Sequence, residues 1–249
     1  MHPILCKIGP LTLYTYGLFV FLGVSLSYFI CSREAKKQKI DSDIFSNIFF
    51  WLLIMGFLGA RIIYIFVEWK GFLNDPFSLI FNNSGFVFYG GVIFGIGTLW
   101  YLSRRYKIAI LKLADILALG VPLAHSLGRV GCFFYGCCYG MASNSFFGVL
   151  FPPDSPAGYL GVKVIPIQLI SSFFLFIIFC FLMFIKRKKK FQGQLAILYI
   201  FLYSVFRFCV EFFRGDSRGN VYYLSTSQFI SVIMIFLSIY LFKQLKHRI

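Results

Sequence analysis

IPIQLISSFFLFIIFCFLMFI, Ile165–Ile185, runs without one charged side chain, and KRKKK follows directly at Lys186–Lys190. A run of this length matches the roughly 20 residues that an α-helix needs to cross a bilayer core. A basic cluster directly behind it is the flank of a span that ends in the cytoplasm. In water, so many Phe, Ile and Leu side chains would lack the polar surface needed to cover them. The stretch reads as a membrane helix.

Six further apolar runs flank it, at Leu11–Cys31, Ile44–Val67, Gly85–Leu102, Leu111–Leu127, Gly193–Val210 and Thr226–Phe242. The third and fourth spans in chain order are short and broken by glycines. The expectation is an all-α polytopic membrane protein of about seven transmembrane helices, with residues 1–249 as a single transmembrane domain. Basic residues gather in Arg33–Lys39, Arg104–Lys112, Lys186–Lys190 and Lys243–Arg248, which hold 16 of the 24 Lys and Arg. The positive-inside rule then puts the N-terminus outside and the C-terminus in the cytoplasm. Residues 128–164, rich in Gly and Pro, read as an extracytoplasmic loop or small subdomain.

Composition agrees: 59% of residues are hydrophobic and 13% charged, where soluble domains have about 45–50% and about 25%. The formal charge of +15 suggests nucleic acid only until its placement is read. The charges sit in short segments between spans, which suits anionic lipid headgroups, not the contiguous basic face of a nucleic-acid groove. Cys6, Cys31, Cys180 and Cys209 are isolated, and the three within apolar runs read as small buried hydrophobes.

Arg61, Arg129 and Arg207 lie inside or at the ends of spans. A central arginine costs at least about 2.5–3.5 kcal/mol to insert, so it faces protein or water and has an anionic partner. That partner is either a buried acid (Glu68, Asp115 or Glu211) or a bound phosphate, which a guanidinium holds through two oxygens. The densest motif is GRVGCFFYGCCYG, Gly128–Gly140, preceded by His125. His125 and Arg129 stand at i, i+4 and share a face if the helix continues. Four glycines there suit an irregular segment lining a polar cavity. The Cys132, Cys137, Cys138 spacing lacks the second cysteine pair of a common zinc site, so no metal is expected. Arg207, Glu211 and Arg214 fall on one helical face, as an ion-pair ladder or as an arginine anchored toward substrate. Gly91 and Gly95 form a G-x-x-x-G that often means close helix packing.

These pieces, in this order, resemble the bacterial prolipoprotein diacylglyceryl transferase family. The residues carrying the resemblance are Tyr16-Gly17-Leu18, Gly59-Ala60-Arg61, Phe88-Tyr89-Gly90-Gly91, Gly128-Arg129-Val130-Gly131, Pro166-x-Gln168-Leu169 and Arg207 to Asp216. The resemblance implies transfer of diacylglyceryl from phosphatidylglycerol to the lipobox cysteine of a preprolipoprotein signal peptide. The setting it implies is the bacterial cytoplasmic (inner) membrane, and no cofactor is called for. It puts Arg129 and Arg207 at the family's essential arginines and Tyr16 at the same cavity. Arg61, Gly90, Gly91, Gly128, Gly131, Gly140, Gln168, Glu211 and Arg214 are implied on the substrate side. The family's His-Gly-Gly is here Tyr89-Gly90-Gly91, which leaves Tyr89 and His125 as two candidates for the base. A paralogous phospholipid-dependent transferase with another acceptor, or a non-enzymatic lipid-binding protein, stays open on sequence alone.

Overall fold

The computed structural model describes residues 3–9, 11–77, 85–216, 220–221 and 223–247. Arg248, the last of the basic residues noted above, lies outside them. The chain divides into two compact units, Met1–Cys31 with Ala114–Ile249, and Ser32–Leu113.

In the first unit an antiparallel pair, β1 (Ile4–Ile8) and β2 (Leu11–Tyr14), leads into α1 (Thr15–Lys37). Leu11–Tyr14, expected as the start of the first span, is therefore strand, and the helix begins only at Thr15. The long α5 (Ile110–Tyr135) is followed by α6 (Ile167–Ile185) and α7 (Gln194–Glu211). A two-residue pairing of β3 (Asn220–Val221) with β4 (Leu224–Ser225) then precedes α8 (Thr226–Lys246). These ribbons are short departures from an otherwise helical architecture.

Small residues set the contact between α1 and α5. A Cβ on Gly23 would lie 2.9 Å from the Ala124 carbonyl oxygen, and one on Gly120 would lie 2.2 Å from Ser27 Oγ. The Cys31 thiol, fully buried, donates to the Ile116 carbonyl. Cys180 and Cys209 are exposed on their helices, so of the three intraspan cysteines only Cys31 is a packed one. Asp115, fully buried, organises the start of α7: its carboxylate accepts from the backbone N–H of Gly193, Leu195 and Ala196 at 2.7–3.0 Å and pairs with Lys189 at 3.2 Å. A carboxylate at a helix N-terminus satisfies orphan donors and opposes the helix dipole.

The second unit holds α2 (Ser42–Val67), the short α3 (Trp69–Asn74) and α4 (Phe88–Arg105). Asp41 caps α2 by accepting from Asp43 and Ile44 N–H. The α2–α4 contact is backbone on backbone: a Cβ on Gly90 would meet the Gly59 oxygen at 2.4 Å, and one on Gly91 the Gly56 oxygen at 3.0 Å. Gly95 has open space around it. The packing pair is thus Gly90-Gly91 against Gly56 and Gly59, not the Gly91–Gly95 repeat. A mostly apolar groove of about 670 Å³ runs between these helices past Trp51, Phe94 and Tyr106.

Six described helices are long and apolar enough to cross a membrane: α1, α2, α5, α6, α7 and α8. The remaining expected span corresponds to α4, 18 residues whose four glycines and terminal Arg104 and Arg105 dilute its apolar character.

Candidate functional site

Residues 128–135, expected to open the loop, instead continue α5 as far as Tyr135. That continuation places His125, Arg129 and Cys132 on successive turns of one face. Arg129 Nε donates to His125 Nε2 at 3.4 Å. An Nε2 that accepts is unprotonated, so a neutral ring carries its proton on Nδ1. The His125 ring packs on Tyr203 with centroids 5.2 Å apart, and Tyr203 stacks on Tyr199 at 5.9 Å. Arg129 and Arg207 are within electrostatic reach of each other and of His125.

Arg207 is buried on α7. It ion-pairs with Glu211 at 2.5 Å and donates from Nη2 to Ser227 Oγ on α8 at 2.8 Å. Arg214 extends the ladder, 3.9 Å from Glu211 and bidentate to Asp216 at 2.9 and 2.6 Å. The charged face expected of Arg207, Glu211 and Arg214 is therefore an ion-pair ladder that also anchors Arg207. Asp115, another of the three acids considered as partners, is committed to the start of α7.

Tyr16, at the start of α1, lies within electrostatic reach of Arg129 and of all three clustered thiols. Gly131 makes room for it, since a Cβ there would stand 3.1 Å from Tyr16 Cδ2. Gly128 has no such neighbour. Gly140 works as a backbone staple: it forms an isolated bridge to Arg214, its N–H donates to the Ile165 carbonyl, and Gly215 N–H reaches Tyr139. The loop beyond α5 has its own small core of Phe151, Ala157 and Val164. Gln168, fully buried, donates from Nε2 to the Cys137 carbonyl at 2.7 Å, while its Oε1 has no partner among the described residues.

Arg61, Tyr89, Gly90 and Gly91 belong to the second unit. Arg61 donates to the Gly85 carbonyl at 2.8 Å and lies over the rings of Tyr64 and Phe86, 5.4 Å from each centroid. Tyr89 is exposed in the first turn of α4, edge-on to Phe88. Gly90 and Gly91 face the backbone of Gly59 and Gly56 on α2.

Two features went unread in the sequence, and a third was weighed there as a metal site and set aside. Tyr203 precedes Arg207 by four residues, so helical spacing alone could have found it. Ser227 meets Arg207 across two helices, which no local signal encodes. The third is sulfur: Sγ of Cys132, Cys137 and Cys138 all lie within 4.8 Å of one another. Hydrogen bonds with Cys132 and Cys138, and then burial, hold the Cys137 thiol far above its ordinary pKa.

Residues 3–243 match the family model described as prolipoprotein diacylglyceryl transferase. A Clostridium perfringens protein named phosphatidylglycerol–prolipoprotein diacylglyceryl transferase 2 is 39% identical over 237 residues, 94% of this chain and 92% of its own length. Proteins named phosphatidylglycerol–prolipoprotein diacylglyceryl transferase from Clostridium tetani and Finegoldia magna are 36% and 31% identical. They cover 97% and 94% of this chain, and 97% and 90% of their own lengths. With the match running nearly end to end, the chain belongs to the prolipoprotein diacylglyceryl transferase family.

Proposed function

We propose that this multi-pass membrane enzyme transfers diacylglyceryl from phosphatidylglycerol to the lipobox cysteine of a preprolipoprotein in the bacterial cytoplasmic membrane. The observation that carries the reading is the arginine constellation of the first unit. Arg129, Arg207 and Arg214 are set against Glu211 and Asp216, an excess of positive charge suited to an anion. In a low-dielectric site each guanidinium contact on a phosphate is worth far more than in water.

The reaction forms one C–S bond and breaks one C–O bond. The acceptor sulfur attacks the diacylglycerol carbon, and the electron pair leaves on the phosphate oxygen of glycerol phosphate. The acceptor thiol gives up its proton. Charge grows on the departing phosphate, so donors already fixed in place lower the barrier without reorganising. Arg207, immobilised by Glu211 and Ser227, is such a donor. Arg129 is steered by His125, whose Nε2 lone pair faces the guanidinium; His125 is a positioning residue for Arg129. The basic segments between spans lie on the cytoplasmic side, which puts the loop after α5 outside, where a translocated signal peptide presents its cysteine.

The test is a strain depleted of its own transferase and supplied with this chain. Conversion of accumulated prolipoprotein to a species heavier by one diacylglyceryl group is expected. Unmodified prolipoprotein, with the chain present in the membrane at normal levels, would remove the reading.

A further inference from the structure

We propose that Cys132, Cys137 and Cys138 form a three-thiolate site for a zinc-class cation, whose fourth coordination position takes the acceptor's cysteine. Three sulfurs within 4.8 Å of one another need only a small contraction to surround one ion, because Zn–S bonds of about 2.3 Å place tetrahedral sulfurs near 3.8 Å apart. The backbone is shaped to bring them together. Gly136 ends α5 with φ +80°, and Cys138 holds φ +60°, a conformation non-glycine residues seldom adopt. Gly136 and Cys137 N–H both fold back onto the Cys132 carbonyl, and Gln168 clamps the Cys137 carbonyl from α6. The same buried Gln168 leaves its Oε1 without a partner among the described residues.

Soft thiolate ligands select d10 cations, and three protein ligands leave a tetrahedral ion one open position. The place of that position suits the reaction, and this part of the inference rests on the transferase reading. Cys132 follows Arg129 by one turn, roughly 4.5 Å along the axis. His125 Nε2 is directed at Arg129. A metal-bound thiol is deprotonated outright. The three protein thiols release their protons when the ion binds. The acceptor thiol then enters, loses its proton to water, and attacks the diacylglycerol carbon as a bound thiolate. No oxidation or reduction occurs, and one proton is released for each glycerol phosphate formed.

The experiment uses the full chain, purified in detergent with a phosphine reductant and substituted with cobalt as a spectroscopic stand-in for zinc. About one zinc per chain as isolated is expected, together with sulfur-to-cobalt charge-transfer absorption after exchange. Cys132→Ser, Cys137→Ser and Cys138→Ser each lose that absorption; Cys180→Ser keeps it. Adding a lipobox peptide alters the absorption, and its Cys→Ser counterpart does not. Chelation lowers transfer by about a hundredfold or more, and zinc restores it, a reversal that holds whether or not the variants fold. A disulfide within the triad, zinc far below one per chain, or a cobalt spectrum indifferent to the cysteine peptide would each overturn the site. Full transfer by zinc-free enzyme removes the metal and leaves the transferase standing. A cobalt centre that takes up the peptide thiol, with no diacylglyceryl moved, removes the transferase reading alone.

Discussion

Arg129 and His125 show how much a single spacing can carry. Their i, i+4 separation was legible, and it became a contact because α5 continues past Gly128. Loss of the guanidinium in Arg129→Ala should lower kcat by about 10²–10³-fold, with Arg129→Lys recovering part of it. For His125, the informative pair is Ala against Gln, since a glutamine carbonyl still offers Arg129 an acceptor. His125→Gln should retain several times the kcat of His125→Ala; equal inactivity in both would make His125 a proton acceptor instead. Arg207 differs, being held by a buried acid. Glu211→Gln leaves that charge uncompensated and should cost about 3–5 kcal/mol, read as a large fall in thermal midpoint. The thiol triad was illegible because it depends on left-handed backbone at Gly136 and Cys138 and on a clamp from a distant helix. Spacing alone argued against it.

At the scale of elements, hydropathy located the helices and erred at their ends. It reads burial in lipid, and the ends lie where lipid gives way to water and backbone pairing decides. Hence β2 in place of helix at Leu11–Tyr14, and α5 running on to Tyr135. Helix contacts were half legible: small residues announced them, but which glycine faces which backbone did not. Gly90→Ala drives a methyl into the Gly59 carbonyl and should destabilise by about 1–3 kcal/mol. Gly95→Ala, with open space and a helical backbone, should be neutral or stabilising by up to about 1 kcal/mol. Thermal unfolding in detergent separates the two; similar losses in both would mean that helix contact is not what Gly90 serves. The Asp115 carboxylate collects three backbone donors and a lysine, so Asp115→Asn should loosen the start of α7 and expose Gly193–Ala196 amides to faster hydrogen exchange. Unchanged exchange there would contradict the capping role.

For the whole molecule, charge placement predicts the topology, and the proposed acceptor requires the loop after α5 to lie outside. A protease site inserted beside Tyr159, almost wholly exposed in the loop after α5, should be cut by protease added outside spheroplasts. One inserted in the basic run at Lys188 should be cut only after lysis. The reverse pattern would put the thiol triad on the wrong side for a translocated acceptor. The transfer reaction is tested most directly with purified components: phosphatidylglycerol labelled in both its diacylglycerol and its headgroup, a lipobox peptide, and wild-type enzyme beside Arg129→Ala. We expect thioether-linked diacylglyceryl on the peptide and glycerol phosphate in equal amounts from wild type, and neither from the folded variant. Wild-type enzyme that binds phosphatidylglycerol but forms neither product, or a variant as active as wild type, would contradict it.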